Sequence, residues 1–250
     1  MPSPPVATIA VERLIYGLLL ASLALLTIHE VNFFSGYFLA WIPSEHLIEL
    51  FDITLEANLP TWFSSSLFLL CGLSAWAVSR SVAERTGRWE RCHAWCWRVI
   101  ALFFLYDWMD DSSQIHERLG STIGDSLKTP LVQHFLSYYW HLLFLPILVS
   151  MGLILLVLWY RLPNWTLRLQ LLTGLSCLTL AVGLDYLEGL DWFMENMRQY
   201  YASHGLSLSI LRHLLRSGEE WLEMVGCIFI AASFLGTARE LSTTLLLRLR

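Results

Sequence analysis

Leu142-Leu143-Phe144-Leu145-Pro146-Ile147-Leu148-Val149-Ser150-Met151-Gly152-Leu153-Ile154-Leu155-Leu156-Val157-Leu158-Trp159-Tyr160 contains no charged side chain. Wound as an α-helix at 1.5 Å per residue, it is about 28 Å long, close to the roughly 30 Å hydrocarbon core of a bilayer. The stretch predicts a membrane-crossing helix over about 135–160, with Pro146 inside it as a kink.

Working outward, five further runs have the same character, at about 13–29, 60–80, 95–113, 166–188 and 220–238. Pro60 falls in the first turn of one of them, where a missing N–H costs little. The run after Arg13 is followed by no small-x-small cleavage site, so it is expected to be a retained span and not a signal peptide. Hydrophobic residues make up 56% of the chain and charged residues 15%; a soluble domain carries roughly 45–50% and about 25%. Mean hydropathy is +0.53. The 12 Trp fit indole rings gathered at membrane–water boundaries. A net charge of −5 and the lack of any basic tract exclude a nucleic-acid partner. Cys71, Cys92, Cys96, Cys177 and Cys227 lie in apolar runs or a basic loop and imply no disulfide framework.

Lys and Arg set the expected orientation. Arg13, the group Arg80, Arg85, Arg88, Arg91 and Arg98, the pair Arg161 and Arg168, and Arg239, Arg248 and Arg250 fall on one side. Residues 30–59 hold no basic residue. The expectation is an all-α fold: one integral membrane domain over 1–250, a polytopic helix bundle of about six transmembrane helices with both termini cytoplasmic. Short amphipathic interfacial helices are expected in the first and last outer loops. In 45–56, Glu45, Glu49, Asp52 and Glu56 form an acidic stripe opposite Leu47, Leu50 and Phe51; in 206–216, Leu208, Leu211 and Leu215 oppose Arg212 and Arg216. Ile-His-Glu occurs at 28–30 and again at 115–117, a recurrence that chance accounts for.

This topology puts most acids and histidines at the outer side. At 100° per residue, Asp107, Asp110, Asp111, Gln114, Glu117 and Arg118 share a face of the third span and its continuation. Asp185, Glu188, Trp192 and Glu195 share a face at the end of the fifth, and Glu219, Glu220 and Glu223 open the sixth. His134, Ser137, Tyr138 and His141 line the start of the fourth. All four stripes meet at one membrane level. An ionised side chain at mid-bilayer costs about 2.5–3.5 kcal/mol, so something must neutralise these acids: a metal, shared protons, or Arg118, Arg212 and Arg216 folding back. Acids at a helix N-terminus are favoured by the dipole, which accounts for Glu219 and Glu220 but not for Asp107, Asp110 and Asp111 at a C-terminal end. Carboxylates with an imidazole are ligands for Zn, Mn or Fe, and bundle interiors commonly hold them. The candidate ligands of a divalent metal are Asp107, Asp110, Asp111, Glu117, His141, Asp185, Glu188, Glu220 and Glu223. His116 points away from them on a helix that continues through 107–119, and nothing there is a Gly or Pro to break it. Glu90-x-x-His93 has the spacing of half a di-iron site without a second copy. No spacing signals haem ligation by His29, His134 or His141.

Asp110-Asp111-Ser112-Ser113-Gln114-Ile115-His116-Glu117, Asn58-Leu59-Pro60-Thr61-Trp62-Phe63 and Glu219-Glu220-Trp221-Leu222-Glu223-Met224-Val225-Gly226 together resemble a group of uncharacterised bacterial multipass membrane proteins. In these an acidic pair followed by His-Glu ends one span and Glu-Glu-x-x-Glu opens the last. The resemblance spans about residues 56–236, implies a bacterial inner-membrane location and implies no activity. This chain departs from the pattern with Asp-Asp where Asp-Glu is expected, which shortens one ligand.

Three functions are expected from these observations. The first is a metal-dependent membrane enzyme acting on a lipid or small periplasmic substrate. The second is a non-catalytic subunit or assembly factor docking a basic protein at its acidic periplasmic face. The third is an ion- or proton-coupled transporter, against which the inner halves of the spans offer no polar path beyond Ser, Thr and Cys.

Overall fold

The computed structural model describes residues 11–39, 44–85, 87–115, 118–119, 122, 139–205 and 207–248. Among the described residues eight helices and no strand occur: α1 (Val11–Leu39), α2 (Glu45–Phe51), α3 (Leu59–Ala83), α4 (Arg88–Ser113), α5 (Tyr139–Trp159), α6 (Trp165–Gly189), α7 (Asp191–Ser203) and α8 (Leu208–Arg248). Four are long and apolar enough to cross a membrane, over Val11–Phe38, Leu59–Ala83, Trp165–Gly189 and Leu208–Ser242, and α5 adds a shorter apolar helix, Phe144–Trp159. The chain is therefore a helical membrane protein. Leu20, Leu153, Val157 and Leu180 stand exposed on its flanks, where a lipid environment suits them.

α8 is the central column. It packs against α6, α3 and α1, and α3 in turn packs against α4; α5 leans on α4 and more lightly on α6. Lipid supplies no hydrophobic drive between helices, so close packing and interhelical hydrogen bonds must hold them. At the α6–α8 crossing, Gly174 and Gly226 bring the two backbones together: a Cβ on Gly174 would stand 2.7 Å from the Gly226 carbonyl oxygen and 2.6 Å from Ile230 Cγ1. Nearby, Ser233 Oγ donates to the Leu167 carbonyl at 2.9 Å. Ser79 Oγ ties α3 to the Ala94 carbonyl of α4 at 3.1 Å, and Cys71 Sγ ties α3 to the Cys227 carbonyl of α8 at 3.2 Å. Trp97, Phe104 and Phe234 fill the core between them, with Trp97 and Phe234 edge-to-face at 4.9 Å.

Several expected elements differ in extent. The predicted interfacial helix over 45–56 stops at Phe51, because the Asp52 carboxylate captures the Thr54 N–H at 2.9 Å and its hydroxyl at 2.8 Å. A side chain that satisfies the local backbone in this way competes with helix continuation. Asp52 and Glu56 thus sit in the following turn, and Asn58 then caps α3 by accepting the Thr61 N–H at 3.1 Å. The predicted interfacial helix at 206–216 is not separate: α8 runs unbroken through Ser217 and Gly218, since one helical glycine costs only about 1 kcal/mol. The expected continuous helix over 107–119 instead ends at Ser113, where Gln114 adopts φ 53° and ψ 42° and gives its N–H to the Asp110 carbonyl at 2.7 Å. This is a left-handed cap on a non-glycine residue, which composition does not advertise. The face expected to join Asp185, Glu188, Trp192 and Glu195 is likewise divided: Leu190 is extended, and the last two belong to α7.

Candidate functional site

Asp107, Asp110 and Asp111 occupy the last two turns of α4, Asp185 and Glu188 the last two of α6, and Glu219, Glu220 and Glu223 stand three to four turns into α8. α3 supplies the wall between α4 and α8, and its first turns bring two hydroxyls inward. Ser64 Oγ and Ser65 Oγ both donate to Asp111 Oδ2, at 2.8 and 2.7 Å. Two such bonds to one oxygen fix the carboxylate's position.

The acids meet. Asp107 interacts electrostatically with Asp110, Asp111 and Glu223. Glu220 interacts with Glu223, Glu219, Asp111 and Glu56. Glu219 reaches Asp185, Glu223, Glu188 and Arg216. Carboxylates from three helices and one turn therefore lie within electrostatic reach of one another, in a region we call the basin, and none of Asp107, Asp111, Asp185, Glu220 or Glu223 is fully exposed. One of its acids is already neutralised: Arg216 grips Glu188, its Nε lying 2.9 and 3.0 Å from the two carboxylate oxygens. Of the three arginines expected to fold back, Arg216 does so.

The remaining expected ligands fall differently. His141 lies in α5, its side chain outside the described set, and Glu117 and His116 lie outside the described residues. Among the described residues, the three-ligand group whose donor atoms lie within 4.8 Å of one another is His29, Glu30 and His213, not any three of the basin acids. His93 of the Glu90-x-x-His93 pair accepts the Trp97 Nε1–H at 3.2 Å and so supports a core side chain.

The basin and the histidine group lie within residues 16–237, and that segment matches a family model described as a domain of unknown function, DUF8692. The chain belongs to the DUF8692 family. No curated protein and no solved structure matches it. An uncharacterised family is what the resemblance implied. The DUF8692 match covers α2 to α7 whole and α8 as far as residue 237.

Glu56, Ser64 and Ser65 are the basin residues that sequence reading missed. Glu56 was visible as part of an acidic stripe, but the stripe reads as a surface helix. The serines sit four and five residues past Pro60, one turn deeper than the capping residues, and only the packing of α3 on α4 turns them toward Asp111.

Proposed function

We propose that this chain is a bacterial inner-membrane enzyme of about six spans, in which α4 and α5 join the four apolar helices and both termini are cytoplasmic. Its basin holds a divalent metal and acts on a lipid or small periplasmic molecule. The observation that carries this reading is that Asp107, Asp111, Asp185, Glu220 and Glu223, from three helices, are partly buried and lie within electrostatic reach of one another. A divalent cation would relieve the repulsion among so many carboxylates, and held by Asp107, Asp111, Asp185, Glu220 and Glu223 it would activate water or polarise a substrate oxygen. A docking scaffold would turn its acids to water, where salt screens them; Asp107, Asp111, Asp185, Glu220 and Glu223 are only partly exposed.

Metal analysis of the purified protein tests the reading. The wild type carries a stoichiometric divalent ion, and Asp111→Asn and Glu223→Gln, which barely change side-chain volume, lose it. A folded wild type whose basin variants match it in metal content overturns the proposal. Orientation is tested separately: a reporter fused after Arg250 is expected to be active only in its cytoplasmic form. Activity of a periplasmic reporter at that point would place the basin on the cytoplasmic side.

A further inference from the structure

The basin leaves unused a second polar group, on the seam where α1 meets α8. His29 and Glu30 stand on the outer half of α1, and His213 in the second turn of α8, 183 residues away from Glu30 in the chain. We propose that His29, Glu30 and His213 form a binding site for a divalent transition-metal ion of the zinc class, separate from the basin.

One nitrogen of each imidazole and one Glu30 oxygen lie within 4.8 Å of one another, close enough for one ion to reach all three after small side-chain adjustments. His213 Nε2 and Glu30 Oε2 are 3.0 Å apart. Two ligands bound tetrahedrally at about 2.0–2.2 Å stand roughly 3.3 Å apart, so this spacing already suits a shared ion.

The stronger observation is His29 itself. It is only 5% exposed. Its Nδ1 accepts the Ile53 N–H at 3.3 Å and lies 3.3 Å from Asp52 Oδ1, while its buried Nε2 has no hydrogen-bond partner among the described residues. A buried polar nitrogen left alone costs about 1–3 kcal/mol, and native structures rarely tolerate one without a ligand or water to serve it. An ion on Nε2 would serve it. With an ion on Nε2, Nδ1 would exchange the hydrogen bond it accepts from Ile53 for one donated to Asp52, the carboxylate–histidine–metal arrangement that orients metal-bound imidazoles. Asp52 is positioned for this by the same Thr54 contacts that end α2.

Two imidazoles and one carboxylate form the ligand set that zinc uses when it keeps a fourth position open. His213 is held flat between Phe33, at 3.4 Å between centroids, and His29, at 4.7 Å. The histidine rings are 17° from parallel, so the ion sits at the edge of the stack and turns one ring about its soft terminal torsion. Along α8, His213 and Glu220 are seven residues apart, about 10 Å, so the site opens on the same outer region as the basin without sharing a ligand with it.

The test is a titration of the purified full chain in detergent with Co2+, whose visible absorption is intense only at low-symmetry, near-tetrahedral sites. A band that saturates at one equivalent and is displaced by Zn2+ is expected. His29→Gln and His213→Gln should abolish it. Asp52→Asn should weaken Co2+ binding 10–100-fold, as loss of an orienting partner does. Asp111→Asn and Glu223→Gln should leave it unchanged, so failure here and failure of the basin reading are told apart. A folded wild type without the band, a band that persists in either histidine variant, or a band lost with Asp111→Asn overturns the site. If the histidine variants do not fold, unchanged affinity in Asp52→Asn overturns it instead.

Discussion

Stripping divalent metal from the detergent-solubilised protein should lower its melting temperature by about 5–10 °C, and returning the metal should restore it. A ligand present at a hundred times its Kd stabilises the folded state by about 2.7 kcal/mol, and in a chain of this size each kcal/mol moves the midpoint by about 2–4 °C. The physical cause is the company these carboxylates keep. Asp107, Asp111, Glu220 and Glu223 interact across the α4–α8 gap. Without a cation their repulsion, only weakly screened by water, would loosen the packing of α4, α6 and α8 at that end. Asp111→Asn or Glu223→Gln removes one of the repelling charges and one ligand together, so each should shrink the response while the apo protein melts no lower than wild-type apo protein. Whatever response remains in those variants and vanishes in His213→Gln belongs to the histidine site. Coincident wild-type melting curves with and without chelator, in a sample shown to be metal-free after treatment, would count against metal in either place.

The second large effect lies at the crossing of α6 and α8. Gly174→Ala should destabilise the bundle by about 1–3 kcal/mol, the usual cost of overpacking a filled interface. The added methyl would meet the Gly226 carbonyl oxygen at 2.7 Å, and backbone cannot swing away as a flexible side chain can. Gly226→Ala should also destabilise, since its Cβ would stand 3.0 Å from the Gly174 carbonyl oxygen. The double variant should cost less than the sum, because both methyls push the same two helices apart. Gly17→Ala and Gly152→Ala are the controls: nothing lies within 4 Å of either added Cβ, and alanine favours a helix. These should melt at or above the wild-type temperature. Equal melting of Gly174→Ala and Gly152→Ala would show that the α6–α8 approach is looser than described.

Membrane crossing was legible in the sequence because burial in lipid demands long uncharged runs, and α3, α6 and α8 contain the predicted 60–80, 166–188 and 220–238. Element ends were less so. Their positions depend on single side chains competing for backbone groups, such as the Asp52 carboxylate that stops α2, or on a left-handed residue such as Gln114 that carries no glycine to mark it. The basin was legible as stripes, since a 3.6-residue period places Asp107 and Asp111, or Glu220 and Glu223, on one face. The His29–Glu30–His213 group was not. Its members belong to separate helices, none of them repeats along a face, and the one hint, Ile-His-Glu at 28–30, has no meaning until α1 lies against α8. A constellation made wholly by tertiary packing leaves no period to read.

The central place of α8 also bears on how the protein is made. A chain leaves the ribosome from its N-terminus, so α1, α3 and α6 are all made before α8, the helix that each of them packs against. Until α8 arrives, Gly174 has no opposing backbone, Asp111 has its serines but no glutamates, and His29 has no second imidazole. Assembly is therefore late and convergent: the last helix closes the bundle and supplies part of both polar clusters in the same event. A chain interrupted before residue 208 carries only fragments of each, so neither cluster can exist in an incompletely synthesised molecule.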